Sequence, residues 1–226
     1  MLKDLLNLLF PKVCLACADV LLANENTVCT SCRHEFPVTR HIETDNVELK
    51  QKFYGRLQLE HASAILYFHK KGIVQELIHQ LKYRNKQEIG TFLGDWYVYD
   101  LKSIHAEHPF DAIIPVPLHR KRKRERGYNQ LTTFGQALSK SLQIPLCENI
   151  LHRDSYAVTQ SKKSFLERID SSKTIFDVDF TEKDHDKHYL LIDDVMTTGA
   201  TLEKCGKALL KIPGAKLSIV CMAYTQ

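Results

Sequence analysis

Past residue 60, apolar positions fall into short solid runs separated by longer stretches with helical spacing. Residues 62–68, apolar except for Ser63, read as a strand. Ile73, Val74, Leu77, Ile78 and Leu81 then recur at three- and four-residue steps, which predicts an amphipathic helix over 72–83. A second helix is expected over 86–104, with Trp96 and Tyr97 turned inward. Residues 112–116 read as a buried strand cut short by its prolines. Residues 129–142 read as a helix with Asn129 as its N-cap. A buried strand over 189–192, a helix over 201–211 stopped by Pro213-Gly214, and a strand over 217–224 complete the series. Strands alternating with helices in this way build βαβ units, so the expected fold class is α/β, a mostly parallel sheet flanked by helices.

The front of the chain lacks this rhythm. Leu2, Leu5, Leu6, Leu8 and Leu9 fit one face of a short helix ended by Pro11, packing on the rest of the protein, with a membrane-surface role as the alternative. Residues 40–60 are polar and read as a connector. The organisation expected is a front element over 1–40, a connector over 41–60 and an α/β domain over 61–226. With 226 residues and 44% hydrophobic content, the chain can bury one sizeable core plus a small appendage. A net charge of +4 does not by itself call for a polyanionic partner. No segment reaches the ~20 apolar residues of a membrane span, and the leucine segment is too short and too interrupted for a signal peptide. A cytoplasmic location with reduced cysteines is expected.

Cys14 and Cys17 form one CxxC pair and Cys29 and Cys32 another, with eleven residues between them. Four thiolates at this spacing can wrap one Zn2+ tetrahedrally, and closed sites of this kind are structural. Outside any βαβ pattern, a paired CxxC favours metal over redox chemistry. His34 is a competing ligand, and Cys147, Cys205 and Cys221 read as core residues.

The densest chemistry follows the strand at 189–192. Asp193 and Asp194 stand at its carboxyl end, and Thr197, Thr198, Gly199, Ala200 and Thr201 form a small-residue turn that opens a helix. Backbone amides there can close around a monophosphate, while the acids accept hydrogen bonds from two ribose hydroxyls, directly or through a divalent cation. The segment resembles the signature of type I phosphoribosyltransferases for 5-phosphoribosyl 1-diphosphate (PRPP). That resemblance implies a PRPP-binding stretch made of Asp193, Asp194, Val195, Met196, Thr197, Thr198, Gly199, Ala200 and Thr201, working with Mg2+. Some purine transferases place an acid where this chain has Thr197, a poor base, so any catalytic base lies elsewhere.

A second cluster follows the strand at 112–116. Pro117, Leu118 and His119 lead into a run in which six of the seven residues 120–126 are cationic, Arg120, Arg122, Arg124 and Arg126 among them. Placed between a strand end and Gly127, the run is expected to be a loop over the ligand edge of the sheet. Three roles stay open for it: binding a departing diphosphate, tracking single-stranded nucleic acid beside Tyr128, or a solvated surface.

Taken in order, the cysteine knuckle, Leu81-Lys82-Tyr83, Pro115-Val116-Pro117-Leu118, Arg126-Gly127-Tyr128-Asn129-Gln130, Leu151-His152-Arg153, Thr159-Gln160, Leu166-Glu167-Arg168 and the acidic signature resemble the ComF/GntX family. These are phosphoribosyltransferase-like proteins linked to natural competence and DNA utilisation. One departure is Ser171, where the family carries Asn. The resemblance implies Pro117 to His119 beside the pyrophosphate, the basic run balancing its charge, and a flap over 153–168 from which Arg153 or Arg168 reaches the diphosphate on closure. It implies two kinds of partner besides PRPP, single-stranded DNA and a protein of the competence machinery.

Overall fold

A computed structural model describes residues 10–43, 47–154 and 175–225. Its centre is a four-stranded sheet of β1 (His61–Tyr67), β2 (Ala112–Pro115), β5 (His188–Met196) and β6 (Lys216–Tyr224), in the order β1-β6-β5-β2 with every pair parallel. The inner strands β5 and β6 are buried nearly end to end, as expected of a parallel sheet covered on both faces. Irregular chain pairs with both edges. Thr39 N–H donates to Ile65 O on the β1 side, and Ile113 N–H donates to Pro145 O on the β2 side. Part of each edge is thereby occupied.

The helices lie largely where the periodicity puts them. In chain order they are α1 (Thr30–Glu35), α2 (Val47–Gln51), α3 (Ile73–Tyr83), α4 (Glu88–Glu107), α5 (Arg120–Arg126), α6 (Thr132–Leu142) and α7 (Ala200–Leu209). Val74, Leu77, Ile78 and Leu81 are the buried face of α3. Helix α4 buries Tyr97 and leans Trp96 on Phe36, with ring centroids 5.7 Å apart. Its Gly94 lies so close to α6 that a Cβ there would stand 2.7 Å from Ala137 Cβ. The α/β class, a parallel sheet with flanking helices behind a cysteine-bearing front, is therefore as expected.

Four expectations need correction. Residues 120–126 form helix α5 rather than a loop, because no Pro or Gly interrupts a run of residues with good helix propensity. Asn129 does not cap α6. Its side chain donates to Val116 O at 3.3 Å and accepts from Leu131 N–H at 3.1 Å, so the helix starts at Thr132. The polar connector hides two core residues, Leu49 and Phe53, four apart on one face and fully buried. Strand β5 continues through the two acids to Met196 instead of stopping before them. The leucine segment before Phe10 lies outside the described residues.

A short antiparallel pair, β3 (Leu151–Asp154) and β4 (Ile175–Val178), frames the segment expected to be the flap. Periodicity could not show it, since Leu151-His152-Arg153-Asp154 is short and mostly polar. The interior of the flap segment, including Arg168, lies outside the described residues.

Several polar groups in the core are paired with one another. His61 Nε2 is 2.7 Å from Ser63 Oγ, which accepts from Tyr97 OH at 2.5 Å, and His188 Nε2 is 2.8 Å from Ser218 Oγ. Burial, reinforced by Lys50, His108, His41 and His188 nearby, depresses His61 to about 4. A depressed histidine favours the fold while neutral. Its contribution is complete above the unfolded value near 6.5 and is lost as pH falls from there toward 4. Urea unfolding at pH 7 and at pH 4.5 should differ by roughly 2 kcal/mol from this group. That difference should shrink in His61→Gln, and an unchanged pH dependence in the variant would refute the assignment.

Candidate functional site

Strand β5 delivers the acids to the carboxyl edge of the sheet, where open α/β folds bind ligands. After Met196 the chain turns through Thr197 and Thr198 and reaches Gly199, at φ +76° and ψ 1°, before α7 begins. Only a residue without a Cβ takes this conformation without strain. Space also demands it: a Cβ at Gly199 would lie 3.1 Å from the ring of buried Phe53 and 3.2 Å from Met196 Cε. Gly199 has no side chain to cap α7, and Thr197, Thr198, Ala200 and Thr201 are exposed. The turn thus presents hydroxyls and helix-end amides outward, an arrangement suited to a phosphate. Arg56 adds a cation nearby through its 3.0 Å ion pair with Glu203 in the first turn of α7.

The two carboxylates are not equivalent. Asp194 is buried, with Lys82 Nζ 2.5 Å from Oδ1 and Gln130 Nε2 donating to Oδ2. Asp193 is half-buried and accepts the Asp194 backbone N–H on Oδ1 at 2.8 Å. Burial and the charge of Asp194 push Asp193 up to about 8, against the pull of that N–H, Lys82 and Arg153. A hard divalent cation beside its oxygens would relieve the strain, and oxygen donors of this kind fit Mg2+. Val195 and Met196 are strand residues, and Met196 supports Gly199 from below.

Strand β2 brings the second cluster to the same edge, since Val116 N–H donates to Ile192 O at 3.0 Å. Pro117, Leu118 and His119 follow half-buried. Helix α5 then exposes Arg120, Lys121, Arg122 and Arg124. Arg126 donates to Gln130 Oε1, the partner of Asp194, at 2.8 Å and lies 5.0 Å over the Tyr83 ring. Tyr128 OH donates to Leu81 O. Arg153, on β3, stacks 5.3 Å over Phe176.

Lys82, Gln130 and Phe53 were given no role from the sequence. The first two sit inside segments that carry the family resemblance, which was the available signal. Phe53 carried none, because its segment is polar on average.

At the front, the Sγ atoms of Cys14, Cys17, Cys29 and Cys32 all lie within 4.8 Å of one another, and none of the seven cysteines is in a disulfide. The 3.8 Å between Cys17 and Cys29 Sγ matches the edge of a tetrahedron around zinc with Zn–S bonds of about 2.3 Å. Backbone N–H groups of Ala16 and Cys29 point at Cys14 Sγ. Burial opposes ionisation of Cys14, yet backbone N–H donors prevail and lower it to about 7, while burial and their neighbours in the cluster push Cys17 and Cys32 up. His34 is exposed and outside the cluster. Cys205 and Cys221 are core residues, as expected, and Cys147 is half-buried.

Comparison with known proteins bears on both clusters. Residues 5–42 match the model of the double zinc ribbon domain, so the four cysteines are a structural zinc site. Over 208 residues the chain is 30% identical to competence protein F of Haemophilus influenzae, covering 88% of this chain and 91% of that one. The chain belongs to the ComF/GntX family. A further member, competence protein ComFC of Bacillus subtilis, is 26% identical over 88% of this chain and 78% of its own. Among solved structures, a purine phosphoribosyltransferase from Pyrococcus horikoshii is similar at 22% identity and a TM-score of 0.39, over 59% of this chain and 74% of that one. No helix among the described residues of this ComF/GntX chain is long and apolar enough to cross a membrane.

Proposed function

We propose that this ComF/GntX protein binds PRPP, or a related phosphoribosyl ligand, together with Mg2+, in the service of natural competence or DNA utilisation. One observation carries the reading. A half-buried carboxylate, Asp193, stands on a parallel strand just ahead of a glycine-supported turn and the start of α7, with a row of cations leaving the adjacent strand. The turn at Thr197 to Thr201 would hold the 5′-phosphate through its amides and hydroxyls. Asp193 would accept a ribose hydroxyl, and the exit of β2 at Pro117 to His119 would border the diphosphate. Mg2+, when bound, would offset charge on the diphosphate oxygens. Arg120, Arg122, Arg124 and Arg126 would add to that neutralisation, and Arg153 and Arg168 would approach as the flap segment closes and excludes water.

A transferase activity follows if an acceptor amine or base displaces the diphosphate at the anomeric carbon. The residues leave the acceptor open. We read 61–226 as the ligand-binding domain, joined by 41–60 to the zinc element at 1–40, working in the cytoplasm with a protein of the competence machinery.

The test is calorimetric titration with PRPP and Mg2+. Wild type should bind, and Asp193→Asn should bind about 30-fold more weakly, as expected for a lost charged hydrogen bond. Wild type that binds no PRPP at millimolar concentration ends the reading. PRPP-dependent release of pyrophosphate with a panel of bases separates turnover from binding.

A second reading is favoured by the exposed cations of α5 beside Tyr83 and Tyr128. A basic row flanked by aromatic rings suits single-stranded DNA. Oligonucleotide binding with a steep salt dependence that flattens in Arg122→Ala/Arg124→Ala, without any PRPP binding, would select it.

A further inference from the structure

Lys82 faces two ways. Its ammonium is the 2.5 Å partner of Asp194, yet the same side chain lines a cleft of about 410 Å3 with Arg84, Arg122 and Arg126. Tyr83 and Tyr128 are aromatic walls of that cleft, and Glu125 is its acidic lining residue. Four cations against one carboxylate make a site for a multiply charged anion, and partial shielding from water strengthens each contact.

The cations are not equally available. Arg126 is tied to Gln130 Oε1 and stacked over Tyr83, while Arg84 and Arg122 stand exposed. Lys82 is neutralised for as long as Asp194 holds it. Asp194 has Gln130 on its other oxygen, so a ribose hydroxyl or cation reaching Oδ1 competes directly with Nζ. A displaced ammonium on a flexible four-carbon stem already borders the cleft, and it needs only a change of rotamer to enter. Left unpaired and partly desolvated, it would gain most by finding an anion.

We propose that Lys82 is a transferable anion ligand, kept on Asp194 in the empty site and passed to the diphosphate end of the ligand in the adjoining cleft when Asp194 engages the sugar or its cation. The identity of the ligand rests on the phosphoribosyl reading above; the anion-binding role of Lys82 does not. Occupancy at the acids and at the cleft then favour each other, because one residue serves both.

Calorimetry with inorganic pyrophosphate alone, in metal-free buffer, tests the assignment, and ribose 5-phosphate is titrated in parallel. In the Asp194→Asn background, where nothing holds the ammonium back, Lys82→Met should weaken pyrophosphate by about 10-fold, the scale of one charged hydrogen bond, with ribose 5-phosphate little changed. Lys82→Arg should restore most of the loss. Asp194→Asn, which releases Lys82, should tighten pyrophosphate several-fold, and that gain should vanish when Lys82 is Met. Pyrophosphate binding that ignores Lys82→Met in the Asp194→Asn background overturns the proposal. So does a gain from Asp194→Asn that persists without Lys82, which would be bulk charge alone, or a wild type that binds no pyrophosphate. Should Lys82→Met not fold, Lys82→Gln/Asp194→Asn removes both charges. Weaker pyrophosphate binding there than in Asp194→Asn alone then supports the proposal, and equal binding overturns it. If wild type ignores ribose 5-phosphate while the pyrophosphate results hold, the phosphoribosyl reading fails and the role of Lys82 stands.

Discussion

Removing zinc from Cys14, Cys17, Cys29 and Cys32 is expected to unfold the front of the protein and release one metal ion per chain. The buried residues described in that front are few: Cys14, Cys29 and Cys32, with Leu15, Ala16, Val28, Phe36 and Thr39. So small an apolar set cannot offset the conformational entropy of some thirty ordered residues, at about 1–2 kcal/mol each for the backbone alone. Structural zinc contributes about 10–16 kcal/mol in comparable small sites, more than the whole net stability of many domains. The damage should spread. Phe36 stacks on Trp96, and residues 37–39 hydrogen-bond along β1, so loss of the knuckle strips the cover from a sheet edge. Chelation or Cys29→Ser should therefore lower the melting temperature and promote aggregation, read by thermal scanning and light scattering. Protein purified without zinc but with native circular dichroism and melting would refute this.

The second large effect is expected from Gly199→Val. A β-branched residue at φ +76° costs about 1–3 kcal/mol in backbone strain. Its Cβ would also press on Phe53 and Met196, adding about 1–3 kcal/mol as those side chains shift. Urea unfolding should show the variant less stable by about 3 kcal/mol. Ligand binding should suffer more than stability, since the displaced turn no longer aims its amides at one point. A loss of PRPP affinity of about 100-fold or more is expected, in line with the sensitivity of such sites to ångström-scale misplacement. Gly199→Asn, which tolerates the left-handed region, should fall between the two. A Gly199→Val protein that binds PRPP as wild type does would remove the turn from the site.

The fold was legible where side-chain period and burial agree. Leu77, Ile78 and Leu81 recur at helical spacing because one face of α3 is buried, and the runs in β5 and β6 are unbroken because both sheet faces are covered. Legibility failed where average polarity concealed a single buried face. Leu49 and Phe53 sit in a charged stretch, yet they reach the core and support the turn at Gly199. The basic run was misjudged for a related reason: charge said where it lies, at the ligand edge, but not that its backbone is helical.

What the chain determined alone is its inventory and the local geometry that depends only on near neighbours. Two CxxC pairs can close on one metal, and a small-residue turn after an acidic strand end exposes amides, whatever else the protein does. Tertiary structure decided how the acids divide. Lys82 and Gln130 lie far from Asp194 along the chain and meet it only because α3 and the segment before α6 pack over the end of β5. That meeting occupies one carboxylate, while burial and the charge of Asp194 leave the other raised in affinity for protons. Electrostatic energy depends on distance and burial in space, and neither can be read from spacing in the sequence.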